Sequence, residues 1–121
     1  MKNLWTTIMV KDMEESLAFY MDVLGLSIDK RYVSGSGAEI AFLGDGETKF
    51  ELIYNETLEG ISYTPFVSTG FQVDSADDYM KSLEEKGVEI VEGPFEPSPM
   101  IKFFYIKDPN GYKIQLAELR G

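Results

Sequence analysis

Apolar and polar positions pass through the same succession of periods twice along the chain, at an offset of about sixty residues, which is the mark of an internal repeat. Leu4 to Val10 is rich in β-branched and apolar residues and predicts a strand. Met13, Leu17, Tyr20 and Leu24 then recur at helical spacing, so a helix is expected from Met13 to Leu24, with Asp12 as cap, Glu15 three residues on, and Gly25 as the left-handed stop. Strands are expected near Leu26 to Val33, Ala38 to Leu43 and Lys49 to Tyr54, separated by Ser34-Gly35-Ser36-Gly37 and Gly44-Asp45-Gly46. The second copy reads as a strand from Pro65 to Val73 and a helix from Ser75 to Lys86. That helix has Ala76, Tyr79, Met80 and Leu83 on one face, a Ser75-x-x-Asp78 cap and a stop at Gly87. Strands at Val88 to Glu92, Ile101 to Ile106 and Tyr112 to Glu118 complete it, with Gly93 to Pro99 as a three-proline loop and Asp108-Pro109-Asn110-Gly111 as a hairpin turn.

The expected fold class is α+β: two βαβββ modules, 1–56 and 64–121, within one domain spanning 1–121. Asn55 to Thr64 is too short to tether independent domains. Two copies of one unit imply a pseudo-twofold axis, which makes the matched pairs Trp5/Ser68 and Glu51/Gln115 the first places to look for function. Alternation assigns the faces. Phe50, Leu52 and Tyr54, with Tyr112, Ile114 and Leu116, are expected to cover the helices. Lys49, Glu51 and Ile53, with Lys113, Gln115 and Ala117, fall on the other face together with Trp5, Thr7, Met9, Ser68, Gly70 and Gln72. A sheet face carrying Trp, Met, Glu, Gln and Ser with no helix over it suits a ligand cavity.

Composition narrows the chemistry. Net charge is −10, from 21 acidic against 11 basic residues, a field that repels phosphate backbones and anionic lipid surfaces. Neither nucleic acid nor membrane is therefore an expected partner. Histidine is absent, which removes the commonest transition-metal ligand and the usual base near neutral pH, and cysteine is absent too, so Ser-His and Cys-His mechanisms are excluded. No apolar run approaches membrane-spanning length and the N-terminus lacks the features of a signal peptide, so the expected location is the cytoplasm.

Two segments carry a family resemblance. Phe19-Tyr20-Met21-Asp22-Val23-Leu24-Gly25-Leu26 resembles the Phe-Tyr-x-x-x-Leu-Gly signature of the vicinal oxygen chelate superfamily, which includes glyoxalase I, bleomycin resistance proteins and extradiol dioxygenases. Asp108 to Leu116 resembles that family's Asp-Pro-Asp/Asn-Gly-x-x-Ile-Glu-Leu ending. The resemblance implies paired modules curling into a half-open β-barrel with helices outside, usually completed by a second subunit. In metal-dependent members it implies ligands from the first and fourth strands of each module, commonly two histidines and two glutamates. Those positions fall here on Trp5, Glu51, Ser68 (approximately) and Gln115. One carboxylate, an amide, a hydroxyl and an indole are a poor set for Zn²⁺ or Ni²⁺, so neither a metal nor another cofactor is expected.

The leading expectation is a metal-free module of the bleomycin-resistance kind that takes a small, partly aromatic molecule, cationic ones included, into the concave face. Trp5 is then a stacking platform, or a large side chain filling the space a metal would occupy. Glu51 is a ligand anchor, or alternatively the structural ion-pair partner of Lys49 or Lys113. Ser68 and Gln115 are hydrogen-bonding candidates, or polar residues on a half-solvated face. Thr7, Met9, Phe42, Phe103 and Tyr105 are candidate walls, or core. The enzyme alternative is a metal-independent lyase or isomerase related to lactoylglutathione lyase, with Glu51 as base and Gln115 or Ser68 steadying an oxyanion. A third class is a structural or regulatory dimer with a vestigial cavity. In each case a homodimer is expected, since small sheets expose edges that need covering.

Overall fold

The computed structural model describes all residues, 1–121, as two compact units, Met1–Ser62 and Tyr63–Gly121. In the first unit the chain runs β1 (Trp5–Met9), α1 (Met13–Ala18), β2 (Ile28–Val33), β3 (Glu39–Leu43) and β4 (Lys49–Tyr54). The second runs β5 (Ser68–Gln72), α2 (Ala76–Glu85), β6 (Glu92–Ser98), β7 (Ile101–Lys107) and β8 (Lys113–Leu119). Each unit is thus βαβββ and the chain is α+β with tandem modules. The strand orders are β1-β4-β3-β2 and β5-β8-β7-β6, the first pair parallel and the others antiparallel in both sheets.

The helices start where the caps predict. Asp12 accepts from the Glu15 N–H at 2.9 Å and Ser75 from the Asp78 N–H at 3.1 Å. α2 has a second N-terminal partner that no local pattern announces: Glu118 of β8 accepts from the Ala76 N–H at 2.8 Å. Its C-terminus closes with Gly87 at φ 74°, the Val88 N–H donating to the Leu83 carbonyl and the Gly87 N–H to that of Glu84, a Schellman arrangement.

Two sequence expectations need correcting. The predicted helix from Met13 to Leu24 is α-helical only to Ala18; Phe19–Val23 is a π-helix, with the Leu24 N–H reaching back to the Phe19 carbonyl at 3.3 Å. The wider turn carries Tyr20 in the core, where it is fully buried against Phe50 with ring centroids 4.9 Å apart. The three-proline loop is in fact β6, while Val88–Val91 is not a strand. β6 is the terminal strand of its sheet, and its register against β7 slips between Glu92 and Phe95 and again between Phe95 and Ser98, so Pro94 and Pro97 remove no regular ladder bond. Gly93 permits the close approach: a Cβ there would lie 3.1 Å from Phe104 Cα, at a φ of 96°.

The core of each unit lies between its helix and the alternate residues of its sheet. Ile8, Leu17, Tyr20, Leu43, Phe50 and Leu52 fill the first; Ala76, Leu83, Phe104, Ile106, Ile114 and Leu116 fill the second. The other sheet face is left for the side chains singled out above.

Glu118 also hydrogen-bonds Arg120, which in turn pairs with Glu96. Arg120 first, and the Ala76 N–H second, hold the Glu118 carboxyl below its ordinary value. A lowered folded-state value stabilises the fold above the unfolded one and is lost as pH falls through the folded one. The stability difference between the parent and Glu118→Gln is therefore expected to be full at neutral pH and to shrink below about pH 4.3, as read from melting temperature against pH.

Candidate functional site

The open face of the first sheet is built by register. Thr7 lies opposite Glu51, Glu51 opposite Phe42, and Phe42 opposite Lys30, so these four form one row across β1, β4, β3 and β2. Flanking rows hold Trp5 with Lys49, and Met9 with Ile53, Ile40 and Tyr32. Within the row, the Thr7 hydroxyl donates to Glu51 Oε1 at 2.5 Å. Phe42 is covered by the edge of Trp5, centroids 5.2 Å apart at 75°, and by Lys30 Nζ, 4.8 Å from the ring centre. It is only 4% exposed and supports its neighbours, whereas Trp5 is 48% exposed and borders an open hollow of about 620 Å³ formed with Met1, Lys2, Asn3 and Leu4. Met9, in the opposite flanking row, is also exposed.

Glu51 is 8% exposed and forms no ion pair within its unit, so the alternative that Lys49 neutralises it does not hold. Lys49 stands two residues along the same strand, about 6.8 Å away in an extended chain. Its ammonium instead meets the Gly44 carbonyl at 2.7 Å and Asp29 at 3.9 Å. Lys113 pairs with Glu92 at 2.6 Å. No buried side-chain N or O atom lacks a hydrogen-bond partner, so the second oxygen of Glu51, which has none in the protein, opens to solvent.

The second sheet repeats the layout with different chemistry. Gly70, Gln115, Tyr105 and Glu92 form the equivalent row. Gln115 Nε2 donates to the Tyr105 hydroxyl at 3.3 Å, and a Cβ on Gly70 would come 3.1 Å from Gln115 Oε1, so glycine there leaves the amide its space. Phe103 and Tyr105 join Phe95 in an aromatic cluster with centroid separations of 5.5 to 6.4 Å. Lys113 Nζ lies 4.2 Å from the Tyr105 ring centre. Ser68 is exposed on β5 opposite Lys113, one row away from Gln115.

Sequence reading did not single out Lys30, Tyr32 or Phe95. The first two follow from alternation in Ile28–Val33; Phe95 was hidden by its prolines.

The four positions at which the fold's metal-dependent members place ligands divide as Trp5 and Glu51 in one unit and Ser68 and Gln115 in the other. No group of three or more Asp, Glu, His or Cys side chains comes together to hold an ion. A single carboxylate with neutral oxygens and an indole does not fit a resident transition metal. No helix is long and apolar enough to cross a membrane.

With this architecture in view, the chain belongs to the Glyoxalase/Bleomycin resistance protein/Dioxygenase superfamily, whose family model matches residues 3–116. Among curated relatives, a lactoylglutathione lyase of Salmonella typhimurium is 30% identical over 128 residues, covering 99% of this chain and 94% of that protein. Among solved structures, the Leishmania major glyoxalase I superposes with a TM-score of 0.80 at 24% identity, covering 98% of this chain and 86% of that one. TnmS3, an antibiotic binding protein from Streptomyces sp. CB03234, does so with a TM-score of 0.79 at 20% identity, covering 98% and 96%. At these identities the two structures speak to fold alone.

Proposed function

We propose that this protein binds a small, partly aromatic molecule on the open sheet face of its first unit, with Trp5 as the stacking surface and Glu51 as the polar anchor. The observation that carries the reading is a half-exposed indole beside a nearly buried carboxylate that has a hydroxyl donor on one oxygen and no counter-cation. An aromatic body covers the indole, while a donor on the ligand meets the free oxygen of Glu51. Met9 and Thr7 border the same surface. Phe103, Tyr105, Gln115 and Ser68 offer a second aromatic and neutral surface on the other unit. The experiment is a thermal-shift screen of metabolites and aromatic drugs, cationic ones included. A ligand at a hundredfold its Kd stabilises by about 2.7 kcal/mol, and Trp5→Ala diminishes the shift; hits indifferent to Trp5 overturn the reading.

The curated relatives named lactoylglutathione lyase favour a second reading, a metal-independent lyase or isomerase with Glu51 as base. Under the binding reading the purified protein shows no lactoylglutathione lyase turnover, with or without added metal, and elemental analysis finds no stoichiometric Zn, Ni, Mn or Fe. Turnover that co-purifies with the protein and disappears in Glu51→Gln supports the second reading instead.

A homodimer belongs to either reading. β2 and β6 end their sheets, and Tyr32, Val33 and Phe95 are exposed on them, an arrangement that a second copy protects from indiscriminate edge pairing. Light scattering at roughly tens of micromolar is expected to give twice the chain mass; a monomer there counts against it.

A further inference from the structure

We propose that the ligand of the first sheet face is amphoteric: a donor or cationic group meets Glu51, and a separate anionic group meets Lys30. The inference rests on the binding reading above and specifies its chemistry. It is carried by two charges that share one row and do not neutralise each other.

Glu51 and Lys30 flank Phe42 two strands apart, so their backbones are about 10 Å from one another. Phe42 stands between them in the row, and its ring takes the Lys30 ammonium on its face at 4.8 Å, an attraction that keeps this exposed side chain lying over the sheet. Lys30 has no carboxylate partner. The acids near β2 are otherwise engaged: Glu14 and Glu39 with Arg31 on the opposite face, at 2.5 and 3.6 Å, and Asp29 with Lys49.

The second unit supplies the contrast. There too a lysine lies over the aromatic ring of the equivalent row, Lys113 over Tyr105 at 4.2 Å, but Glu92 neutralises it at 2.6 Å and the β8 position in the row is the uncharged Gln115. One face closes its charges within the protein and the other leaves a cation and an anion open on either side of a ring. A ligand with only a cation would gain at Glu51 and be repelled by Lys30. One with an anion displaced along its aromatic body satisfies both.

The test uses three matched probes: 4-(aminomethyl)benzoate, its methyl ester, which keeps only the cation, and 4-methylbenzoate, which keeps only the anion. The chain has a single tryptophan, so the Trp5 indole N–H is one resolved NMR signal at the site. Titration is expected to give 4-(aminomethyl)benzoate an affinity at least about tenfold above either relative, a difference of about 1.4 kcal/mol. Lys30→Gln is expected to erase the advantage over the ester while leaving the ester unimpaired, and Lys30→Arg to retain it. If the ester binds as well as the parent acid and Lys30→Gln changes neither, the amphoteric assignment falls while the binding reading stands. If none of the three moves the Trp5 signal up to its solubility limit, both fall.

Discussion

Replacing Asp108 with Ala is expected to lower unfolding stability by roughly 3–5 kcal/mol, because it strands several donors inside the protein at once. Asp108 is buried, and one of its carboxylate oxygens accepts from both the Asn110 and Tyr112 N–H groups at 2.8 Å. The other accepts from Asn110 Nδ2 at 3.0 Å. These bonds shape the turn between β7 and β8, which the backbone closes through the Asp108 N–H on the Tyr112 carbonyl at 2.9 Å. Since β8 carries Gln115 and sets its position opposite Tyr105, a slack turn disturbs the second face as well as the core. Urea unfolding of Asp108→Ala and Asp108→Asn separates the contributions. Asn keeps an acceptor oxygen and is expected to recover a substantial part of the loss. Equal midpoints for the parent and Asp108→Ala would show that solvent replaces the carboxylate at no cost.

At Glu51 the large effect is expected in binding, not in folding. Glu51→Gln preserves shape and keeps an oxygen to accept the Thr7 hydroxyl, so the fold is expected to be unchanged or slightly more stable. A ligand cation or charged donor loses its partner, weakening binding by roughly 1–3 kcal/mol, the scale of a hydrogen bond to a charged group. Trp5→Ala is expected to weaken the same ligand with less dependence on its charge, since the indole contributes area and stacking. Calorimetric titration of the three proteins with a hit from the screen reads both effects. Strong destabilisation by Glu51→Gln with ligand affinity untouched would make Glu51 a structural residue and would remove the polar anchor from the proposed site.

Several elements were legible in the chain because their determinants are local. The Asp12 and Ser75 caps, the Gly87 stop and the Lys49–Tyr54 strand follow from neighbours within a few positions. The family segments were legible for the same reason. β6 was not, because prolines argue against a strand unless it lies at an edge and its register slips, and neither property is written locally. The π-helical end of the first helix escaped too: its apolar stripe has helical spacing, and the wider turn reflects how Tyr20 packs on Phe50.

The sequence by itself determined the repeated βαβββ order, the division of each sheet into a helix-covered and an open face, and the absence of histidine and cysteine from every candidate position. It thereby set which donors the open faces hold. Only the tertiary structure decided which charges find partners. Lys49 and Lys113 looked equally available to Glu51, yet one meets Gly44 and Asp29 and the other Glu92, while Lys30 stays over Phe42 and Glu51 keeps an open oxygen. The physical reason is range. Alternation and capping depend on residues two to four positions apart, whereas pairing depends on cross-strand register, which joins Lys30 to Phe42 and Phe42 to Glu51 across turns whose lengths alone do not reveal the alignment.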